Sequence, residues 1–165
     1  MGSSIISGLK NKRVLITGAT GGIGTSLVRM FAAKEAVVGI QYNQNQKQAK
    51  LLQTEVESND GRSACFQANL LSLNGGADLI DSFVERFSGI DILINNAGAI
   101  IGFEDFLELD EIAWAKTFQL NSQAPFFLSQ RAFLQMKNNG GGKIINISSV
   151  SAKYGGSLRS LHYGA

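Results

Sequence analysis

At 165 residues with 44% hydrophobic content the chain is long enough for one domain with a core of its own, so a single unit over residues 1–165 is expected. Fifteen Lys and Arg against thirteen Asp and Glu leave a net charge of +2 with no basic block, which argues against nucleic-acid and membrane-surface partners. No apolar run is long enough to span a bilayer, and Met1 to Lys10 fits neither a signal peptide nor, through Ile6, the myristoylation pattern, so the cytoplasm is the expected compartment.

Arg13 to Thr17 reads as a strand, followed by a glycine-rich turn and then Ile23, Leu27, Met30 and Phe31 at helical spacing. Val37, Val38 and Ile40 form a second strand, and Ala49, Leu52 and Val56 a second helix stripe. The turn Asn59-Asp60-Gly61 leads into a short strand at Ala64, Cys65 and Phe66. As the only cysteine, Cys65 has no disulfide partner and no zinc-type spacing, so it reads as a small buried apolar residue and no metal site is expected. Leu79, Ile80, Phe83, Val84 and Phe87 mark a third helix, and Ile90 to Ile94 a fourth strand ending in Asn95-Asn96-Ala97-Gly98. A long helical region from about Asp110 to about Lys137 passes through Gly140-Gly141-Gly142 into a fifth strand, Lys143 to Ile147.

Near-continuous apolar strands alternating with helices imply a parallel sheet covered on both faces, with ligands held beyond the carboxyl ends of the strands. The turn Thr17-Gly18-Ala19-Thr20-Gly21-Gly22-Ile23-Gly24 stands at such an end, where glycine lets backbone approach a pyrophosphate at a helix N-terminus. Close helix-to-sheet packing alone is the other use of such a turn. Pro125 cannot donate to the Asn121 carbonyl, so the long helix is expected to kink there; alternatively Pro125 opens a separate helix capped by Asn121.

The glycine spacing departs from G-x-G-x-x-G and resembles the T-G-x-x-x-G-x-G of the short-chain dehydrogenase/reductase family. Asn95-Asn96-Ala97-Gly98 matches that family's N-N-A-G. Asn121 resembles its active-site Asn, and Ser149 with Tyr163, fourteen residues on, resembles its Ser and Tyr pair, Ser148 being the lesser partner. Among family members the chain resembles the 3-oxoacyl-carrier-protein reductases. The resemblance spans nearly the whole chain and implies an α/β, three-layer, doubly wound parallel sheet, the Rossmann fold, lacking its last helix-strand portion. It places the dinucleotide against Gly18, Thr20, Gly21, Gly22, Ile23, Gly24, Tyr42, Asn69, Leu70, Asn95, Ala97 and Gly98, and the chemistry on Asn121, Ser149 and Tyr163. His162 and Tyr154 are expected to be pocket or surface residues.

In that chemistry the Tyr hydroxyl exchanges a proton with the carbonyl oxygen while Ser holds the same oxygen. The family's lysine, which lowers the Tyr from its ordinary pKa of about 10, follows four positions later, two beyond Ala165. The resemblance therefore supports an oxidoreductase passing hydride between NADP(H) and a ketone or secondary alcohol, with a non-catalytic nucleotide-binding module as the alternative. Gln41-Tyr42-Asn43-Gln44 carries no carboxylate for ribose hydroxyls, which favours NADP over NAD, with Lys47 the nearby cation and Gly21 where many NADP-using relatives have Arg. Asn69 stands where the family has an adenine-contacting Asp. Gly102-Phe103-Glu104 and Tyr154-Gly155-Gly156 hint at a mostly apolar substrate pocket. Trp114, Phe118, Phe126, Phe127 and Phe133 suit either the core or a homodimer or homotetramer contact.

Overall fold

The computed structural model describes residues 8–72, 74–102 and 105–165. The readings on residues 1–7 and on Phe103 and Glu104 lie outside these. Five strands, β1 (Arg13–Ile16), β2 (Val37–Tyr42), β3 (Arg62–Gln67), β4 (Ile92–Asn95) and β5 (Lys143–Asn146), form one parallel sheet in the order β3-β2-β1-β4-β5. Strand order reverses after β3, so the carboxyl ends of β1 and β4 meet at the crevice where doubly wound sheets hold their ligands.

Period-two alternation divides the core. Val14 and Ile16 point to one face, packing with Val38 and Ile40 under α1 (Gly22–Ala32) and α2 (Gln46–Glu57). Leu15 and Leu93 point to the other, against Ile80 and Phe83 of α3 (Gly75–Phe87) and Leu128 of a later helix. Each such side chain fully buried is worth about 1.5–3 kcal/mol, and both faces are needed to cover strands this apolar. Gly39 on β2 makes room for Phe83, whose ring would lie 2.5 Å from an added Cβ.

The strand ends depart from the expected bounds. β3 extends past Ala64–Phe66 because it pairs with the full length of β2, which recruits the polar Arg62, Ser63 and Gln67. β4 starts at Ile92 rather than Ile90, and β5 ends at Asn146 rather than Ile147. At the amino ends of the strands Asp91 binds Arg13 through Nε at 2.7 Å, Nη2 at 3.0 Å and the backbone N–H at 2.8 Å. This pairing holds the Asp91 carboxyl below the usual carboxylate range.

The α1 face is rotated from the expected stripe. Gly24, Val28 and Phe31 are buried, whereas Ile23 is 61% exposed and Met30 48%. Gly24 explains this: a Cβ there would stand 2.3 Å from the Gly18 carbonyl, so only glycine lets this side of the helix press on the turn.

The long helix is not simply kinked at Pro125, nor does a new helix start at Asn121. α4 (Glu111–Phe118), capped by Asp110 accepting from Ala113 N–H at 2.7 Å, runs into a π-helical segment, Gln119–Gln123, and then α5 (Ala124–Asn138) with Pro125 in its first turn. The Ala124 N–H reaches back five residues to the Gln119 carbonyl, the wide turn that accommodates a residue unable to continue the α-helical ladder. Two short helices, α6 (Ser151–Tyr154) and α7 (Leu161–Gly164), follow β5. Among the described residues no helix is long and apolar enough to cross a membrane. Cys65 is half-buried on β3, donating from Sγ to the Ala49 carbonyl at 3.2 Å, and burial pushes its thiol up.

Candidate active site

The glycine turn after β1 and the Asn-rich turn after β4 are locked together by Thr17. Its buried Oγ1 accepts from the N–H groups of Asn96 and Ala97, each at 3.0 Å. Asn96 Nδ2 in turn donates to the carbonyls of Thr17 at 2.9 Å and Gly18 at 3.2 Å. Gly18 takes φ of 60° with an added Cβ only 2.8 Å from Ala97 Cα, so both conformation and contact require glycine.

Gln41, 2% exposed, braces the same turn. Its Oε1 accepts from Gly18 N–H at 2.7 Å and its Nε2 donates to the Ala68 carbonyl at 2.9 Å, joining the ends of β1 and β3 across β2. Sequence reasoning passed over Gln41, although a glutamine inside an apolar strand is itself a signal of a buried polar duty.

These braces frame a cleft of about 510 Å³ lined by Gly18, Thr20, Gly21, Gly22, Ile23 and Gly24, by Asn69 and Leu70 after β3, and by Ala97 and Gly98 after β4. Gly21 caps α1 without a side-chain hydrogen bond, leaving first-turn N–H groups for an anion, and a Cβ on Gly22 would meet nothing within 4 Å. The backbone here is an open cradle that fits a dinucleotide pyrophosphate. Tyr42 does not line it; the ring is 5% exposed and packs in the core with Ala49 and Leu52. Asn43, Gln44 and Asn45 line the cleft instead, and among the described residues neither a carboxylate nor an ammonium does. Lys47 is exposed in the first turn of α2, outside that lining.

A second cavity of about 750 Å³ shares Ile23, Asn96, Ala97 and Gly98 with the cleft. Asn121 from the π-helical segment, Ser149 after β5 and Tyr163 from α7 all line it. Asn121 is fixed by three bonds. Nδ2 donates to the carbonyls of Ala99 and Thr117, each at 2.8 Å, and Oδ1 accepts from Ala99 N–H at 3.2 Å. Ser149 Oγ accepts from Ser151 N–H at 3.2 Å. Among the described residues no hydrogen bond joins Asn121, Ser149 and Tyr163 to one another; they face a common space.

Asn95 sits beneath this cavity rather than in the cleft. It is 3% exposed, with Nδ2 donating to Asn146 Oδ1 at 2.8 Å and Ser129 Oγ at 3.0 Å, which ties β4 to β5 and α5. The wall is not the mostly apolar one expected, for Ser122, Ser129, Asn146 and Ser148 join it. Tyr154 is 76% exposed and does not line it, whereas His162 is buried. Trp114, Phe118, Phe126, Phe127 and Phe133 are all exposed by 39% or more, so they are not core residues.

A family model described as short chain dehydrogenase matches residues 12–165. The chain is 35% identical over 159 residues to an L-rhamnose 1-dehydrogenase (NAD(P)(+)) of Azotobacter vinelandii, covering 94% of this chain and 61% of that protein. The chain therefore spans about three fifths of the length of that curated relative. Among solved structures, the NADH-dependent reductase A1-R' complexed with NAD superposes with a TM-score of 0.89 at 32% identity, covering 97% of this chain and 68% of that one. A short chain dehydrogenase from Burkholderia cenocepacia in complex with NADP gives 0.84 at 27% identity, covering 95% and 64%.

Proposed function

This chain belongs to the short-chain dehydrogenase family, and on that premise we propose that it is the dinucleotide-binding and proton-transfer part of an NAD(P)-dependent oxidoreductase interconverting a ketone and a secondary alcohol. The observation that carries the reading is the meeting of Asn121, Ser149 and Tyr163, from three separate elements, in one cavity opening onto the glycine-lined cleft.

The dinucleotide, when bound, supplies or takes the hydride at the carbonyl carbon. Gly18, Thr20, Gly21, Gly22, Ile23 and Gly24 would hold its pyrophosphate, Asn69 and Leu70 its adenine side, and Ala97 and Gly98 the wall towards the reaction space. Tyr163 donates its hydroxyl proton to the carbonyl oxygen, or accepts it in the reverse direction, while the Ser149 hydroxyl donates a second hydrogen bond to that oxygen. Asn121 lines the same cavity, and its surroundings would hold a water of the proton relay. The cleft's lack of a carboxylate supports NADP(H); NAD(H) is the second candidate, supported by the neighbour that binds NAD. For the substrate we propose a small ketone of the 3-oxoacyl type, in a cytoplasmic homodimer or homotetramer built on the exposed aromatics of α4 and α5.

The test is Tyr163→Phe in a chain carrying a lysine four positions after Tyr163. Loss of ketone reduction with dinucleotide binding retained supports the role. Undiminished reduction removes it, and binding without turnover in the unsubstituted chain marks a nucleotide-binding module.

A further inference from the structure

His162 directly precedes Tyr163 yet is 2% exposed, an unusual place for an imidazole with no role. Its Nε2 lies 2.8 Å from the Ile101 carbonyl oxygen, which can only accept, so Nε2 carries the proton. Its Nδ1 is buried with no partner among the described residues.

Ile101 is itself held. Its N–H donates to Thr117 Oγ1 and that hydroxyl donates to its carbonyl, both at 3.2 Å, with Thr117 1% exposed on α4. Two residues earlier Ala99 exchanges hydrogen bonds with Asn121. The stretch from Ala99 to Ile101 is thus fastened to Asn121, Thr117 and His162. Trp114, one turn before Thr117, places its ring 6.5 Å from the imidazole. Within α7 the Tyr163 and Gly164 N–H groups bond locally to the Ser160 carbonyl. These local bonds do not reach another element, whereas the His162 bond to the Ile101 carbonyl does.

We propose that His162 is a positioning residue that sets Tyr163 relative to Asn121 by docking α7 on the Ile101 carbonyl. This rests on the reading of Tyr163 above, but its test has a readout that does not.

The test compares His162→Leu, which keeps an apolar body without the donor, with His162→Gln, whose amide can return an N–H near the Nε2 position. Amide hydrogen exchange over residues 160–165 of this chain is expected to accelerate in the Leu variant and stay near the original rate in the Gln variant. In a chain carrying the lysine, the Leu variant is expected to lose about tenfold or more in kcat, with dinucleotide affinity changed by less than about twofold, and Gln to restore most of the loss. Unchanged exchange and kcat in the Leu variant overturn the proposal. So does a Gln variant as impaired as Leu, or an equal loss of dinucleotide affinity, which marks general packing. If the lysine-bearing chain without the His162 substitution shows no turnover, the oxidoreductase reading fails while hydrogen exchange still decides the docking.

Discussion

Asn121 and Ala99 exchange two hydrogen bonds, Nδ2 to the Ala99 carbonyl at 2.8 Å and the Ala99 N–H to Oδ1 at 3.2 Å. A side-chain amide here does the work of a neighbouring strand for the chain leaving β4. Gly98 makes the approach feasible, since its Cβ would stand 2.7 Å from Asn121 Oδ1. The wall between dinucleotide cleft and reaction cavity is therefore built around the same asparagine that faces the cavity.

Asn121→Ala removes both bonds to Ala99 and the one to the Thr117 carbonyl, and is expected to destabilise the fold by about 1–2 kcal/mol. Asn121→Asp is expected to be no better, because a carboxylate cannot donate to the Ala99 carbonyl. Thermal denaturation of the two variants checks this; an unchanged Tm for Asn121→Ala would show that the pair carries no stability.

The glycine turn separates packing from binding. Gly24→Ala forces a methyl to 2.3 Å from the Gly18 carbonyl and is expected to cost about 1–3 kcal/mol, read as a lower Tm. Gly22→Ala meets nothing within 4 Å, so its Tm should hold, while dinucleotide affinity falls about tenfold or more because the methyl stands in the anion's place. Normal affinity in Gly22→Ala would move the pyrophosphate elsewhere.

Gln41→Leu leaves the partly buried Gly18 N–H and Ala68 carbonyl without their side-chain partner, at about 1 kcal/mol for each. Both loops line the cleft, so affinity for a dinucleotide should fall along with stability. Chemical denaturation and a binding titration on the same sample test the pair of effects; a stable variant with weakened binding would contradict the bracing role.

Much of this architecture was legible because it is written in local periodicity. The five strands, the helix stripes of α2 and α3 and the glycine turn are all short-range patterns. What escaped were features decided by distant partners. The buried face of α1 follows from Gly24 pressing on Gly18, so Ile23 is displaced towards the cleft. Gln41 finds its partners at Gly18 and Ala68, 23 and 27 residues away, and Tyr42 beside it turns into the core by simple alternation along β2. The π-helical segment was visible only as Pro125, which says where an α-helical bond is lost but not how the chain recovers it. His162, read as pocket or surface, is buried because its partner lies 61 residues earlier.

Asp91 gives the fold an acid limit. The Arg13 side-chain hydrogen bonds hold its carboxyl below the ordinary range, so the folded state binds that proton less readily than the unfolded chain. The resulting stability is fully present above the unfolded value of about 4 and is lost as pH falls through the lower folded value. Asp91→Asn is expected to cost about 1–2 kcal/mol at neutral pH and to lessen the fall in stability on acidification. Urea midpoints at pH 7 and pH 3 measure both; an equally steep fall in the variant would assign the acid loss to other groups.

The cradle formed by Gly18 to Gly24, Asn69 and Gly98 is expected to bind a nicotinamide dinucleotide. Titrating this chain with NADPH and then NADH, followed by nicotinamide fluorescence, tests it most directly. Saturable binding of NADPH at micromolar levels is expected, tighter than NADH and weakened by Gly22→Ala. Failure of a folded chain to bind either dinucleotide would contradict it, leaving the family relationship as ancestry without the function.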